Sequence, residues 1–223
     1  MRGNGSDPDR EVGPGGGNLS FTSVSRPRLA VRSMGDLDRL CGRLDAKLAL
    51  AVGQLDERFE IQAGKHVYNA PFLMGQGVWI DSEKLAPTDE QREVLKHGTL
   101  SLGFIGLAET LVALTGKHHG ASKASQNPGL EIIGHMRQRM DEATEKYHLN
   151  FSLIATPAEG LSGRFTKIDK KIFGELEGIT DREYYTNSFH IPVYYHIRAF
   201  DKIRLEAPYH ALTNGGHIPY VEV

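Results

Sequence analysis

The change of hydrophobic period between residues 132 and 156 constrains the fold more than any other feature of this chain. Ile132, Ile133, Met136, Met140, Ala143 and Tyr147 recur at threes and fours, which lines one face of an amphipathic helix. Asn150-Phe151-Ser152-Leu153-Ile154-Ala155-Thr156 follows directly and predicts a strand. A long helix running into a short strand is the pattern of an α/β fold. The helical period returns in Leu37, Leu40, Cys41, Leu44, Leu48, Val52, Leu55 and Phe59, predicting a helix from Asp36 to near Gly64. Asn18 to Val24 alternates at period two, as a strand with one buried face does, and Pro27 ends it. Thr88-Asp89-Glu90-Gln91 reads as a capping box ahead of a short helix. Thr99 to Gly106 is apolar and fits either a strand or the entry to a helix marked by Leu107, Leu111 and Leu114 and closed by Gly116. Tyr184 to Tyr195 reads as partly extended, Ile197 to Leu205 as helical, and His217 to Val223 as a last strand.

Residues 1–17 hold Gly3, Gly5, Gly13, Gly15, Gly16 and Gly17 and no aromatic, so this leader is expected to be flexible. Gly13 to Gly17 precedes the first strand, whereas a dinucleotide fingerprint follows a strand and opens a helix; it reads as a linker. Residues 18–223 read as one domain. A net charge of −2 supplies no global field for nucleic acid or an anionic membrane. The single cysteine excludes an internal disulfide and a cysteine-based zinc site, which points to a reducing cytoplasm. No apolar stretch is long enough for a membrane helix.

Ligands in α/β folds gather outside the carboxyl ends of strands. There the sequence places Thr156-Pro157-Ala158-Glu159-Gly160-Leu161-Ser162-Gly163-Arg164, read as a glycine-containing loop whose N–H groups, hydroxyls and guanidinium converge on an anion such as phosphate. A structural turn with Arg164 paired to a carboxylate is the alternative. Cys41 lies on an apolar helix face and reads as a buried structural thiol. The ten histidines offer no H-x-x-x-H pair. His118 and His119 diverge, and His190, His196, His210 and His217 are too scattered to converge locally, so no metal site is expected. Asn214-Gly215-Gly216 reads as a tight turn, and no G-x-S-x-G elbow is present.

Asn18 to Ser23, Gly98 to Glu109, His118-His119-Gly120, Ala155 to Phe165, Tyr184 to His190 and Ala207 to Tyr220 together resemble the anaerobic, class III, glycyl-radical ribonucleoside-triphosphate reductases, in the family's order. The resemblance implies part of a ten-stranded α/β barrel, so that 18–223 would be an incomplete catalytic barrel domain. It implies reduction of ribonucleoside triphosphates to deoxyribonucleoside triphosphates by radical chemistry with formate as reductant. On that basis Thr156, Ala158, Gly160, Leu161, Ser162, Gly163 and Arg164 would hold the substrate phosphates. Asn18 would contact the ribose, and Glu159 would face the ribose or pair with a cation. The implied partners are a radical-SAM activating enzyme and a second copy in a homodimer. The glycyl radical, the ATP and dNTP effectors and the zinc site belong to family segments this sequence lacks, and the chain itself is expected to bind no cofactor. The family's two radical-handling cysteines are missing too, so the chain reads as the middle of a longer protein, inactive alone. A non-catalytic nucleotide-binding module derived from the barrel is the alternative, and another glycyl-radical chemistry such as acyl transfer is a third.

Overall fold

In the computed structural model, residues 16–221 are described; the leader expectation for 1–15 and the last two residues of the C-terminal strand expectation lie outside them. The strands are β1 (Asn18–Ser25), β2 (Thr99–Ile105) and β3 (Asn150–Ile154), in the order β1-β2-β3. The Thr99 N–H donates to the Gly17 carbonyl at one end, and the Arg26 N–H to the Ile105 carbonyl at the other. Both strands therefore run the same way, and the sheet is parallel. The helices are α1 (Pro27–Ser33), α2 (Leu37–Ala63), α3 (Pro71–Gly75), α4 (Arg92–Leu95), α5 (Leu107–Thr115), α6 (Lys123–Tyr147), α7 (Glu159–Phe173) and α8 (Ala199–His210). None among the described residues is long and apolar enough to cross a membrane.

The chain divides into two compact units. The first comprises Met1–Thr22, Ala49–Leu102 and Arg139–Ser152. Its core holds Leu55, Phe59, Leu100, Leu102, Met140 and Phe151, all buried. Ser101 and Ser152 share a buried hydroxyl–hydroxyl bond of 2.9 Å between adjacent strands. Trp79 is buried as well, its indole N–H donating to the Val94 carbonyl at 2.8 Å. The helix after Thr88 forms, but the capping box does not. Gln91 is the N-cap and makes no side-chain cap bond, because its amide N–H₂ donates to the His66 carbonyl at 2.7 Å. The Asp89 carboxylate instead accepts from the Ala86 N–H at 2.8 Å, closing a local turn.

The second unit comprises Ser23–Leu48, Gly103–Gln138 and Leu153–Val223. Pro27 opens α1 at its first position, where the missing N–H costs nothing. Gly106 turns the chain from β2 into α5 with φ of +78°, and a Cβ there would lie 2.4 Å from Pro27 Cγ. Only glycine meets both demands. Asp169 of α7 accepts from Tyr185 Oη at 2.9 Å and from Arg28 Nε of α1, tying three segments. Asn214-Gly215 is the tight turn expected, with the Gly216 N–H donating to the Thr213 carbonyl at 3.0 Å.

The expected strand over 217–223 is absent from residues 217–221. Pairing beside β3 consists of one parallel bridge, Ile154 to Gly216, flanked by the Gly215 N–H to Leu153 carbonyl bond. It stops after the Ala155 N–H to Gly216 carbonyl bond, where β3 has ended and Pro157 has no N–H to offer.

Candidate functional site

β3 leaves the sheet through Thr156-Pro157-Ala158, and α7 starts at Glu159 with Ala158 as N-cap. The glycine loop is thereby corrected. Gly160, Leu161, Ser162, Gly163 and Arg164 lie within the first two turns of α7, since helical bonding begins with the Ser162 N–H on the Ala158 carbonyl. The Ser162 hydroxyl donates to the Glu159 carbonyl at 2.7 Å and is engaged by its own helix. No side chain caps α7, so the N–H groups of its first turn point out of the helix end without intrahelical partners, and the positive end of the dipole faces the same way. Arg164 is exposed, and among the described residues no carboxylate pairs with it, so the paired structural turn is not what forms. Glu159 is exposed at the first helical position, where a carboxylate suits the dipole but repels a second anion. Thr156 is buried with its hydroxyl 3.2 Å from Ser23 Oγ, Ala158 is packed against Ile105 and Tyr185, and Leu161 and Phe165 pack on the same cluster. Asn18 opens β1 in the first unit and is exposed.

Beside these residues the second unit buries two charged groups that the sequence reading did not single out, Arg26 and Glu109. Arg26 is fully buried, with its guanidinium 4.3 Å above the Phe104 ring and Nη2 donating to the Ser188 carbonyl at 3.2 Å. Its Nε and Nη1 have no partner, and burial brings its pKa down to about 9, so it remains protonated at neutral pH. Glu109 is also buried. Its Oε1 accepts from the Thr186 N–H at 2.8 Å and the Thr186 hydroxyl at 2.7 Å, while Oε2 has no partner. Burial pushes the Glu109 carboxyl up, against the Thr186 bonds and the charge of Arg26, which lower it. Ser25 Oγ, Asn187 Oδ1 and Ser188 Oγ are likewise buried without partners. Unpaired buried polar atoms are uncommon in folded proteins and collect where a function requires them. A signal was present: Arg26 stands at a strand exit, and Glu109 is the one charge in the apolar run from Leu102 to Leu114.

A cavity of about 380 Å³ opens in the same unit, lined by the 182–197 segment, Ser162, Lys202, Tyr220 and Val221. On its wall His190 Nδ1 donates to Glu206 Oε2 at 3.2 Å, while Glu206 Oε1 accepts from Lys202 Nζ at 2.6 Å and the Ile191 N–H at 2.8 Å. Burial raises the Glu206 carboxyl, but these bonds outweigh it and hold the group below the usual carboxylate range. The histidines expected to stay apart are brought together: His190, His210 and His217 all pack around Phe189, and His210 stacks on His217 at 3.8 Å. No metal-binding group of three is found among the described residues.

His119 Nε2 donates to the Phe189 carbonyl at 2.7 Å, and burial lowers its pKa to about 4. The unfolded chain then binds this proton more readily than the folded one, and the stabilisation, complete above the unfolded value, is lost as pH falls towards 4. The expected cost is about 2 kcal/mol between pH 7 and pH 5, from the cited folded value and an ordinary unfolded histidine. Urea titrations across that range check it, and His119→Gln, which keeps a donor for Phe189, should flatten the slope.

Cys41, the one cysteine, is half-buried on α2, and burial raises its thiol pKa, with Glu131, Asp45 and Asp38 adding to the rise. A raised thiol on a helix face suits packing rather than reactivity.

The family model for anaerobic ribonucleoside-triphosphate reductase matches residues 2–223. The anaerobic ribonucleoside-triphosphate reductase of Salmonella typhimurium is 38% identical over 215 residues, which cover 95% of this chain and 30% of that protein. The enzyme of the same name from Enterobacteria phage T4 is 34% identical over 219 residues, covering 96% of this chain and 34% of its own. The chain thus spans about a third of the length of these relatives. Among solved structures, the anaerobic ribonucleotide reductase from Thermotoga maritima in complex with dATP and CTP superposes with a TM-score of 0.70 at 18% identity, over 92% of this chain and 32% of that one. That likeness shows the fold: an α/β arrangement of the kind found in those barrel proteins.

Proposed function

This chain belongs to the anaerobic ribonucleoside-triphosphate reductase family, and on that premise we propose that it forms the substrate-triphosphate-binding part of a barrel reducing ribonucleoside triphosphates to their 2′-deoxy forms. The supporting observation is the uncapped start of α7 with the unpaired Arg164 beside it, at the carboxyl end of a parallel strand. Backbone N–H groups from Glu159 to Leu161 and the Arg164 guanidinium supply the donors, with Gly160 leaving the approach open, while Gly163 lies against the Glu183 carbonyl. Thr156 positions the segment through Ser23, and Ala158 and Leu161 anchor it to the core. Glu159 is the candidate ribose-side contact on this reading; Asn18 belongs to the first unit, at the end of β1 away from Ser23 and Thr156, and takes no part in it.

Formate as reductant, a radical-SAM activating enzyme, a homodimeric partner and a cytoplasmic setting complete the proposal. The radical chemistry needs a thiyl-bearing cysteine and a second one for reduction, and the zinc site needs four. With Cys41 alone this chain fits neither, so no radical or zinc step is assigned to its residues. The same lone cysteine favours a second reading, a non-catalytic nucleotide-binding module, which shares the triphosphate site and differs in turnover.

The test is calorimetric. Arg164→Ala is expected to weaken triphosphate binding more than nucleoside binding, by about 1.5–3 kcal/mol for a charge-assisted hydrogen bond. Equal losses for both ligands, or none for either, would put the phosphates elsewhere.

A further inference from the structure

We propose that the cavity between the 182–197 segment and α8 receives the nucleobase of the bound nucleotide, and that His190 reads its edge as a hydrogen-bond acceptor. The inference rests on the nucleotide reading above and extends it to a residue and a wall that reading does not use. The volume, about 380 Å³, lies within the range of small-molecule sites, roughly 300–1,000 Å³. Tyr184, Tyr194 and Tyr195 contribute rings to the lining, the surface on which a flat heteroaromatic ligand stacks irrespective of its sequence identity. Arg182 lies 3.5 Å from the centroid of the Tyr194 ring and steadies that wall.

The polar groups on the α8 side of the cavity suit a neutral ring. Glu206 takes up the charge of Lys202 and the Nδ1–H of His190, so that side carries no unbalanced cation, while Arg182, the other cation of the lining, lies over the Tyr194 ring. A carboxylate can only accept, so in the neutral ring this bond places the proton on Nδ1 and leaves Nε2 as the acceptor. Asn187, which also lines the cavity, has a buried Oδ1 without a partner, a second acceptor. Two acceptors call for donors, which the exocyclic amines of adenine, cytosine and guanine provide. Ser162 joins the two ends of the ligand: it lines the cavity and sits one turn inside α7, just beyond the N–H groups proposed to hold phosphate. Glu206 is the positioning residue for His190.

Nucleosides and inorganic tripolyphosphate are titrated separately into the full chain by calorimetry. Adenosine and cytidine should bind saturably and uridine more weakly. His190→Ala should cost adenosine about tenfold, the worth of one hydrogen bond, and leave tripolyphosphate unchanged. Tyr194→Ala should weaken every nucleoside, and serves if the histidine variant misfolds. Nitrogen-15 spectra give a readout that packing alone would not move: the neutral His190 ring should show the Nδ1–H tautomer, its Nε2 should shift with adenosine, and Glu206→Gln should mix the tautomers. Nucleosides that fail to saturate at millimolar concentration while tripolyphosphate binds overturn the cavity assignment and spare the phosphate site. Unchanged nucleoside affinity in both variants, or a neutral ring protonated at Nε2, also overturns it. Nucleoside binding without tripolyphosphate binding sinks the α7 phosphate reading instead.

Discussion

Glu109→Ala is expected to destabilise the second unit by about 3–5 kcal/mol, the cost of breaking a buried charged arrangement by removing one member. Three losses combine. The Thr186 N–H and hydroxyl, bonded to Oε1 at 2.8 and 2.7 Å, are left buried without an acceptor. Arg26, fully buried and already short of partners at Nε and Nη1, loses the carboxylate that offsets its charge. The missing side chain also leaves a void beneath α5. Glu109→Gln keeps an acceptor for Thr186 and should cost far less, about 1 kcal/mol. Hydrogen exchange at the Thr186 amide measures both, and equal effects from Ala and Gln would show that the carboxylate serves only to fill space.

Gly103→Ala should cost about 3 kcal/mol, the upper part of the range for overpacking, and should abolish triphosphate binding. Gly103 lies in β2, where an added Cβ would come within 1.8 Å of Thr156 Oγ1 and 2.7 Å of Ser23 Oγ. Strand backbone cannot withdraw that far, so Thr156 must move, and with it the turn that delivers α7. The double variant Gly103→Ala, Thr156→Ala should recover part of the lost stability, because the nearest obstacle is gone and the two sites are coupled. Additive losses in urea titrations would place the strain elsewhere.

The elements the sequence made legible are those in which one period runs long enough to dominate. α2 carries its apolar stripe from Leu40 to Phe59 over five turns, and α6 leads into β3 with a switch of period that no loop would produce. The α/β class followed from these stretches and the family resemblance from other blocks, among them Gly98 to Glu109 and Tyr184 to His190, and the family match bears the resemblance out. Glycine misled at α7. Gly160 and Gly163 read as a loop because their cost in a helix is counted locally, whereas Ser162, Thr166 and Asp169 are buried on one face and repay it through packing. The capping box failed for a similar reason, since Gln91 found a better partner in the His66 carbonyl, 25 positions away. His190 and Glu206, 16 positions apart, meet only because α8 folds back on the 182–197 segment, and no spacing rule announces such a pair.

Trp79 is the sole tryptophan, and it belongs to the first unit, whereas the cavity, the start of α7 and the Arg26–Glu109 group all belong to the second. Its buried indole, hydrogen-bonded to Val94, gives the chain a built-in optical label confined to one half of the molecule. Emission that stays constant through a nucleotide titration would mean the first unit ignores the ligand. A red shift would reveal a signal passing between halves, detectable without attaching any dye.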